Sequence, residues 1–133
     1  MHKQITSTQN PEIKNLMVLL DKSRERKKQG LLVAEGVKEI NLAVAGGYVI
    51  EKLFFLKEFE FQIDNLIKNS QQAIEITHEI YQKIAYREST EGVLALIQTK
   101  KHSLNDLQFT TSNPLILVAE SPEKPGNIGA ILR

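Results

Sequence analysis

The residues with the clearest chemical potential lie near the end of the chain, in Asn127-Ile-Gly129-Ala-Ile-Leu-Arg133. Asn127 can cap a helix, and Gly129 allows another backbone to approach closely. Gly129 and Arg133 are four residues apart, so a helix would place them on one face. The segment predicts a substrate-facing βα corner of an open sheet, although an ordinary helix start explains it equally well.

A second group of candidates is the basic run from Lys22 to Lys28, at the end of the first predicted helix. Arg24, Arg26, Lys27 and Lys28 can bind RNA phosphates through bidentate contacts and counterion release. The same charges would also stabilise a helix end without any ligand. On the RNA interpretation, replacing Arg26 and Lys28 with alanine should weaken RNA binding and leave thermal stability nearly unchanged.

Two turns add further candidates. Glu35, which follows a predicted strand, can hold Arg26 toward a substrate or simply favour the positive end of the next helix. Arg87 precedes two hydroxyl residues and a strand, a combination that fits an RNA edge as well as ordinary turn chemistry. The three histidines are far apart and there is no cysteine, so we expect no metal site.

The composition of the chain limits the classes of protein to which it can belong. The chain has 133 residues, with 17 basic and 16 acidic side chains, so any nucleic-acid surface has to be local. The lack of cysteine excludes disulfides and thiol chemistry and fits a reducing compartment. No apolar run approaches the ~20 residues that cross a bilayer, and the start does not resemble a signal peptide. We expect a cytoplasmic protein without a membrane partner.

Strands alternate with helices along most of the chain, which predicts a three-layer α/β/α fold around a parallel or mixed sheet. The predicted strands are Leu31–Ala34, Tyr48–Leu56, Ile74–Ile76 and Gly92–Ile97, and the predicted helices are Asn10–Lys28, Val37–Val44, Glu58–Lys68 and Thr77–Ala85. Residues 1–99 form this domain and residues 100–113 a polar linker. Residues 114–133 begin another domain, with a strand at Leu115–Ala119 that is apolar on both faces and a helix from about Asn127.

The order of these motifs resembles the SpoU or TrmH-type RNA 2′-O-methyltransferases of the SPOUT class. Their substrate-binding domain begins with motifs similar to Ile5-x-Ser7-x-x-Asn10-Pro11-x-Ile13-Lys14, followed by Arg26 and Leu32-Val-Ala-Glu35-Gly36. Its last strand is similar to Glu91-Gly-Val-Leu-Ala95, with Glu91 where the family more often has glutamine. The segment from Leu115 to Arg133 resembles the first motif of the catalytic domain.

The resemblance implies a ribosomal-protein-like α/β/α RNA-binding domain over residues 1–99, then the start of an incomplete knotted SPOUT methyltransferase domain. The implied reaction is methyl transfer from S-adenosylmethionine to a ribose 2′-hydroxyl of tRNA or rRNA. Arg133 matches the catalytic arginine, Asn127 its supporting partner and Gly129 the motif backbone. The RNA-binding candidates are Lys14, Arg24, Arg26, Lys27, Lys28, Glu35 and Arg87.

In the same family, S-adenosylmethionine is held by a C-terminal knot, which also forms a homodimer. The two further motifs that build the knot are not among these 133 residues. The chain alone is therefore expected to bind no cofactor and to be inactive. The full-length protein is expected to be a homodimer that acts on tRNA or rRNA.

Two other interpretations remain open. A stand-alone, non-enzymatic RNA-binding or ribosome-associated module explains residues 1–99 equally well, but not the apolar strand and the Asn127–Arg133 motif. An α/β interaction domain without nucleic acid fits the near-zero net charge. RNA affinity that falls steeply with added salt would argue against it.

Overall fold

The computed structural model describes residues 2–86 and 91–133. The chain divides into two compact units, the first ending at Lys101 and the second running from His102 to Arg133. The first unit contains β1 (Lys3–Ile5), α1 (Pro11–Asp21), α2 (Ser23–Gln29), β2 (Leu31–Glu35), α3 (Val37–Ala45), β3 (Ile50–Leu56), α4 (Asp64–Asn69), β4 (Ser70–Ile76), α5 (His78–Ile84) and β5 (Val93–Gln98). The second contains a 3-10 turn (Leu104–Asp106) and α6 (Pro125–Leu132).

The five strands form one mixed sheet in the order β1-β4-β3-β5-β2. β1, β4 and β3 are parallel, whereas β5 is antiparallel to both of its neighbours. Alternate residues of β3 pack on opposite faces of the sheet, because successive side chains of a strand point to opposite sides. Phe54 packs in a first core with α1 and α5, and Phe55 packs in a second core with α3 and α4. The predicted three-layer α/β/α fold is confirmed.

Local capping signals determine where several helices begin and end. The side chain of Asn10 accepts a hydrogen bond from the backbone N–H of Glu12 at 2.9 Å, and Pro11 occupies the first helical position. Thr77 similarly accepts from the N–H of Ile80 at 3.4 Å. Gly30 has a left-handed backbone with φ 66°, which ends α2 and starts the turn into β2.

The single helix predicted from Asn10 to Lys28 is wrong, because Lys22 interrupts it with an extended backbone. The apolar residues that α1 buries, Ile13, Leu16 and Leu19, have no successors after Leu20. A continued helix would therefore have nothing to pack against the sheet. The strand β1 was not predicted: it has three residues at the edge of the sheet, too few for a visible alternation.

The predicted strand over Leu115–Ala119 is not formed in the second unit. The segment has no regular structure, and its side chains are exposed, Val118 by 88%. A strand needs a hydrogen-bonded neighbour, and residues 102–133 supply none. Asn127 is also not the helix cap: α6 begins two residues earlier at Pro125, with its preset φ, and Lys124 is the cap residue.

The helices of the described residues are short. The longest helix there, α1, has 11 residues. Crossing a bilayer takes ~20 apolar residues. None of the described helices is therefore a candidate membrane span.

The carboxylate of Glu12 connects α1 to the sheet by binding Lys3 of β1 and, at 2.6 Å, Lys52 of β3. These two lysines lower the pKa of Glu12 below its ordinary value of 4.5. A lowered folded-state pKa stabilises the fold above the ordinary value, and that stability is lost as pH falls through the folded-state pKa.

Glu12→Gln is therefore expected to lower the free energy of unfolding by about 1 kcal/mol at neutral pH, since it removes the charge of a partly buried pair. Urea unfolding of both proteins should show the difference shrinking as pH falls below about 4. A difference that is as large at about pH 3 as at about pH 7 would contradict the ionic origin.

Candidate nucleic-acid interface

Helix α2 concentrates positive charge on a surface that contributes nothing to the core. It buries no side chain. Arg24, Lys27 and Lys28 are exposed, and we call these three residues the α2 basic surface. The only acidic residue of the helix is Glu25 in its first turn. Lys27 and Lys28 lie in the last turn, where their charge also complements the helix dipole.

Arg26 differs from its neighbours because it is partly buried and bonded to α1. Its Nη1 donates to the backbone carbonyl oxygens of Leu19 at 2.6 Å and Leu20 at 3.2 Å. These carbonyls lie in the last turn of α1, where intrahelical partners are missing. Arg26 therefore fastens α2 to α1. We expect its removal to lower thermal stability, which corrects the expectation of no change that the sequence alone supported.

An open groove of about 540 Å³ lies where α2 ends and β2 begins. All of its charged lining side chains are basic, and most of the lining surface is carbon. The antiparallel pairing of β2 with β5 brings Thr99 beside Gly30, whose carbonyl accepts from the Thr99 N–H at 2.9 Å. The groove is lined by Ser23, Arg26, Lys27, Gly30, Leu31, Leu32, Thr99 and Lys101.

Glu35 lies at the opposite end of β2 from this groove. Its Oε2 accepts from the backbone N–H of Tyr86 at 3.0 Å. Four residues of strand separate Glu35 from Leu31, a distance of about 13 Å. Arg26 donates to the α1 carbonyls and Glu35 accepts from the Tyr86 N–H, and the contact in which Glu35 holds Arg26 stays a prediction. Arg87 lies outside the described residues, and its role stays a prediction.

Two residues near Glu35 explain part of the family pattern. Glu91 Oε2 accepts from the N–H of Val37 at 2.7 Å, which satisfies a donor in the first turn of α3. A glutamine side-chain oxygen can accept the same bond, so the departure from the usual residue keeps the contact. Burial, together with the charges of Glu35 and Glu91, raises the pKa of Tyr81 to about 12. Its phenol is therefore protonated at neutral pH.

The second unit places its candidate residues apart from one another. Asn127 lies in the first turn of α6 and Arg133 directly follows its last residue. Six residues separate them, about 9 Å along a helix axis and on different faces. A Cβ on Gly129 would meet nothing within 4 Å, so the space beside this residue is open, and its proposed close approach to another backbone stays a prediction.

The side chains of the second unit are almost all exposed. From His102 to Arg133 every residue except the partly buried Gly129 is exposed. Across residues 2–86 and 91–133, no three His, Asp or Glu side chains converge as metal ligands.

The groove residues that the sequence did not indicate include Thr99 and Lys101. Nothing in the local sequence around Thr99 and Lys101 indicates that strand pairing brings them beside α2. The predicted RNA-binding residue Lys14 is exposed on α1. The RNA-contacting roles of Lys14, the α2 basic surface and Glu35 stay predictions, as do the roles of Asn127 and Arg133.

Comparisons with known proteins place the chain among RNA methyltransferases. Residues 10–95 match the family described as the MRM3-like substrate binding domain. An uncharacterized tRNA/rRNA methyltransferase of Synechocystis is 33% identical over 137 residues, covering 97% of this chain and 47% of the relative. The mitochondrial rRNA methyltransferase 3 of Xenopus laevis is 30% identical, covering 88% of this chain and 29% of its own length. The chain thus spans less than half the length of these relatives.

Solved structures of RNA methyltransferases are also similar to the chain. The crystal structure of an RNA 2′-O ribose methyltransferase is 32% identical, with a TM-score of 0.73 over 97% of this chain and 50% of that one. The SpoU methyltransferase AviRb of Streptomyces viridochromogenes, solved with AdoMet, is 22% identical with a TM-score of 0.69, covering 94% of this chain and 48% of that one. This second likeness concerns the fold. The chain therefore belongs to the SpoU/TrmH-type RNA methyltransferase family, through its MRM3-like substrate-binding domain.

Proposed function

We propose that this chain is the RNA-binding part of an RNA 2′-O-methyltransferase that uses S-adenosylmethionine and acts on tRNA or rRNA. The observation that carries the proposal is α2, a helix with no fully buried side chain that exposes Arg24, Lys27 and Lys28. Such a helix gains little stability from burial, so its basic composition is better explained by a charged partner. Membership of an RNA methyltransferase family supports RNA as that partner.

The α2 basic surface acts on the phosphate backbone. Each neutralised phosphate releases condensed counterions, so affinity falls with salt by a slope of about 0.7 to 0.9 per contact on logarithmic axes. Three side chains therefore contribute a slope of about 2 to 3. Contacts of this kind position an RNA without reading its sequence. Lys14, Glu35 and Arg87 extend the contact surface in this proposal.

The reaction itself involves the Asn127–Arg133 motif. The Arg133 guanidinium stays protonated, so it can hold a phosphate of the substrate and stabilise charge that develops on the ribose 2′-oxygen. In this proposal Asn127 keeps its supporting role, which requires it to come closer to Arg133 than it does in α6. A homodimer and a cytoplasmic location complete the proposal, and the cysteine-free composition fits that reducing compartment.

The test is the triple variant Arg24→Ala, Lys27→Ala, Lys28→Ala. We expect about tenfold weaker binding to a structured RNA at about 0.1 M salt, with the salt slope smaller by about 2. Unfolding free energy should change by less than about 0.5 kcal/mol, because these side chains are exposed. Fluorescence anisotropy across a salt series measures the affinity, and urea unfolding measures the stability.

The matched control removes three exposed lysines of other helices, Lys38, Lys68 and Lys83, and thus the same net charge. The control should retain affinity within about threefold, since it keeps the contacting side chains. Equal losses in the two variants would mean that only net charge matters. That outcome would reduce the α2 basic surface to stabilising its own helix end.

A further inference from the structure

We infer that the groove between the end of α2 and the start of β2 holds an unpaired nucleotide of the bound RNA. The inference rests on the proposed function and adds the kind of RNA that this surface selects. Its basis is the combination of a basic rim with a wall of carbon in one open groove of about 540 Å³. Sites for small molecules span about 300–1,000 Å³, so one nucleotide fits this size class.

The rim supplies phosphate contacts. Lys27 and Lys101 are exposed cations on either side of the groove, one at the end of α2 and one after β5. Arg26 adds positive charge, although its Nη1 is already bonded to the carbonyls of Leu19 and Leu20. Charge complementarity therefore favours an anionic occupant, and the phosphates of a nucleotide provide that charge.

The carbon lining of the groove favours unpaired RNA over paired RNA. Gly30, Leu31 and Leu32 line the groove, although Leu31 is buried in the first core and Leu32 packs against the second; most of the whole lining is carbon. An A-form duplex stacks its bases inside and presents phosphates and hydroxyls, so it has little apolar surface to place there. An unpaired nucleotide can turn its base against the wall and bury it. The hydroxyls of Ser23 and Thr99 can then bond to polar atoms of the ribose or base.

The walls of the groove are held in place before any ligand arrives. Gly30 makes the left-handed turn between α2 and β2, and its carbonyl is bonded to the Thr99 N–H at 2.9 Å. Arg26 fixes α2 against α1. A nucleotide would therefore enter a preformed site and would not have to order its walls.

The test compares two RNAs with equal numbers of phosphates, a hairpin with an unpaired loop and a blunt duplex. We expect the 133-residue chain to bind the hairpin about tenfold more tightly, as measured by anisotropy. The double variant Thr99→Val, Lys101→Gln should reduce this preference to about twofold or less, because it removes a hydroxyl and a rim charge. Both residues are exposed, so the fold should be kept, which thermal unfolding checks.

The control variant Thr110→Val, Lys38→Gln makes the same chemical changes at exposed positions outside the groove, and it should keep the full preference. Equal affinity of the unaltered chain for the two RNAs would overturn the inference while leaving RNA binding intact. A preference that the groove variant retains would also overturn it. Failure to bind either RNA would remove the proposed function and this inference together.

Discussion

Gly92→Ala is expected to lower the free energy of unfolding by about 3 kcal/mol, through two effects that act together. Gly92 has φ 63°, in the left-handed region that a residue with a Cβ adopts at a cost. An added Cβ would also lie 2.3 Å from Cδ2 of the Phe59 ring. That ring packs against the first core, and the Gly92 carbonyl accepts from the Leu56 N–H at 2.9 Å. Neither neighbour can move without losing its own contacts.

Urea unfolding followed by circular dichroism measures this effect. Gly46→Ala is the matched control, because Gly46 has φ −76° and its added Cβ would meet no atom closer than 3.4 Å. It should change stability by less than about 1 kcal/mol. Adding Phe59→Leu to Gly92→Ala should restore part of the loss, by relieving the contact but not the backbone strain. Equal stabilities of the two alanine variants would refute the account.

Arg26→Ala is expected to destabilise the first unit by about 2 kcal/mol, because it leaves the carbonyls of Leu19 and Leu20 without their charged donor. Arg24→Ala, in the same helix but fully exposed, should leave stability within about 0.5 kcal/mol. Arg26→Lys keeps the charge and loses the planar fork, so it should fall between the two. Thermal and urea unfolding of the three variants measures how much stability each one loses.

RNA affinity then separates the roles within the basic run. Arg24→Ala should weaken RNA binding without changing stability, and Arg26→Ala should change both. A variant at Arg26 as stable as the variant at Arg24 would show that the bonds to α1 contribute nothing. In that case Arg26 would return to the set of purely RNA-contacting residues.

The sequence predicts best those features that depend on neighbouring residues. The helix starts at Asn10 and Thr77 depend on local capping hydrogen bonds, and both lie where the sequence predicts a helix to begin. The alternation of strands and helices likewise predicts the layered architecture. The break at Lys22 was not predictable from a proline or glycine, since it follows from the end of the surface against which α1 packs.

Features that depend on distant partners were missed. The predicted strand over Leu115–Ala119 has an apolar pattern but no neighbouring strand, and pattern alone does not reveal pairing. Thr99 and Lys101 became candidate contacts only when the antiparallel register placed them beside Gly30.

The two hydrophobic cores on either side of the sheet share the same central strands. Phe54 and Leu94 belong to the first core, while Phe55 and Ala95, their immediate neighbours along β3 and β5, belong to the second. If the helices on one side of the sheet unfolded, one face of the central strands would be exposed. The other face of the same strands would still have to stay in place for the second core. The layers therefore depend on each other for their folding, and the first unit opens as one cooperative body, so that its two faces lose protection from hydrogen exchange together.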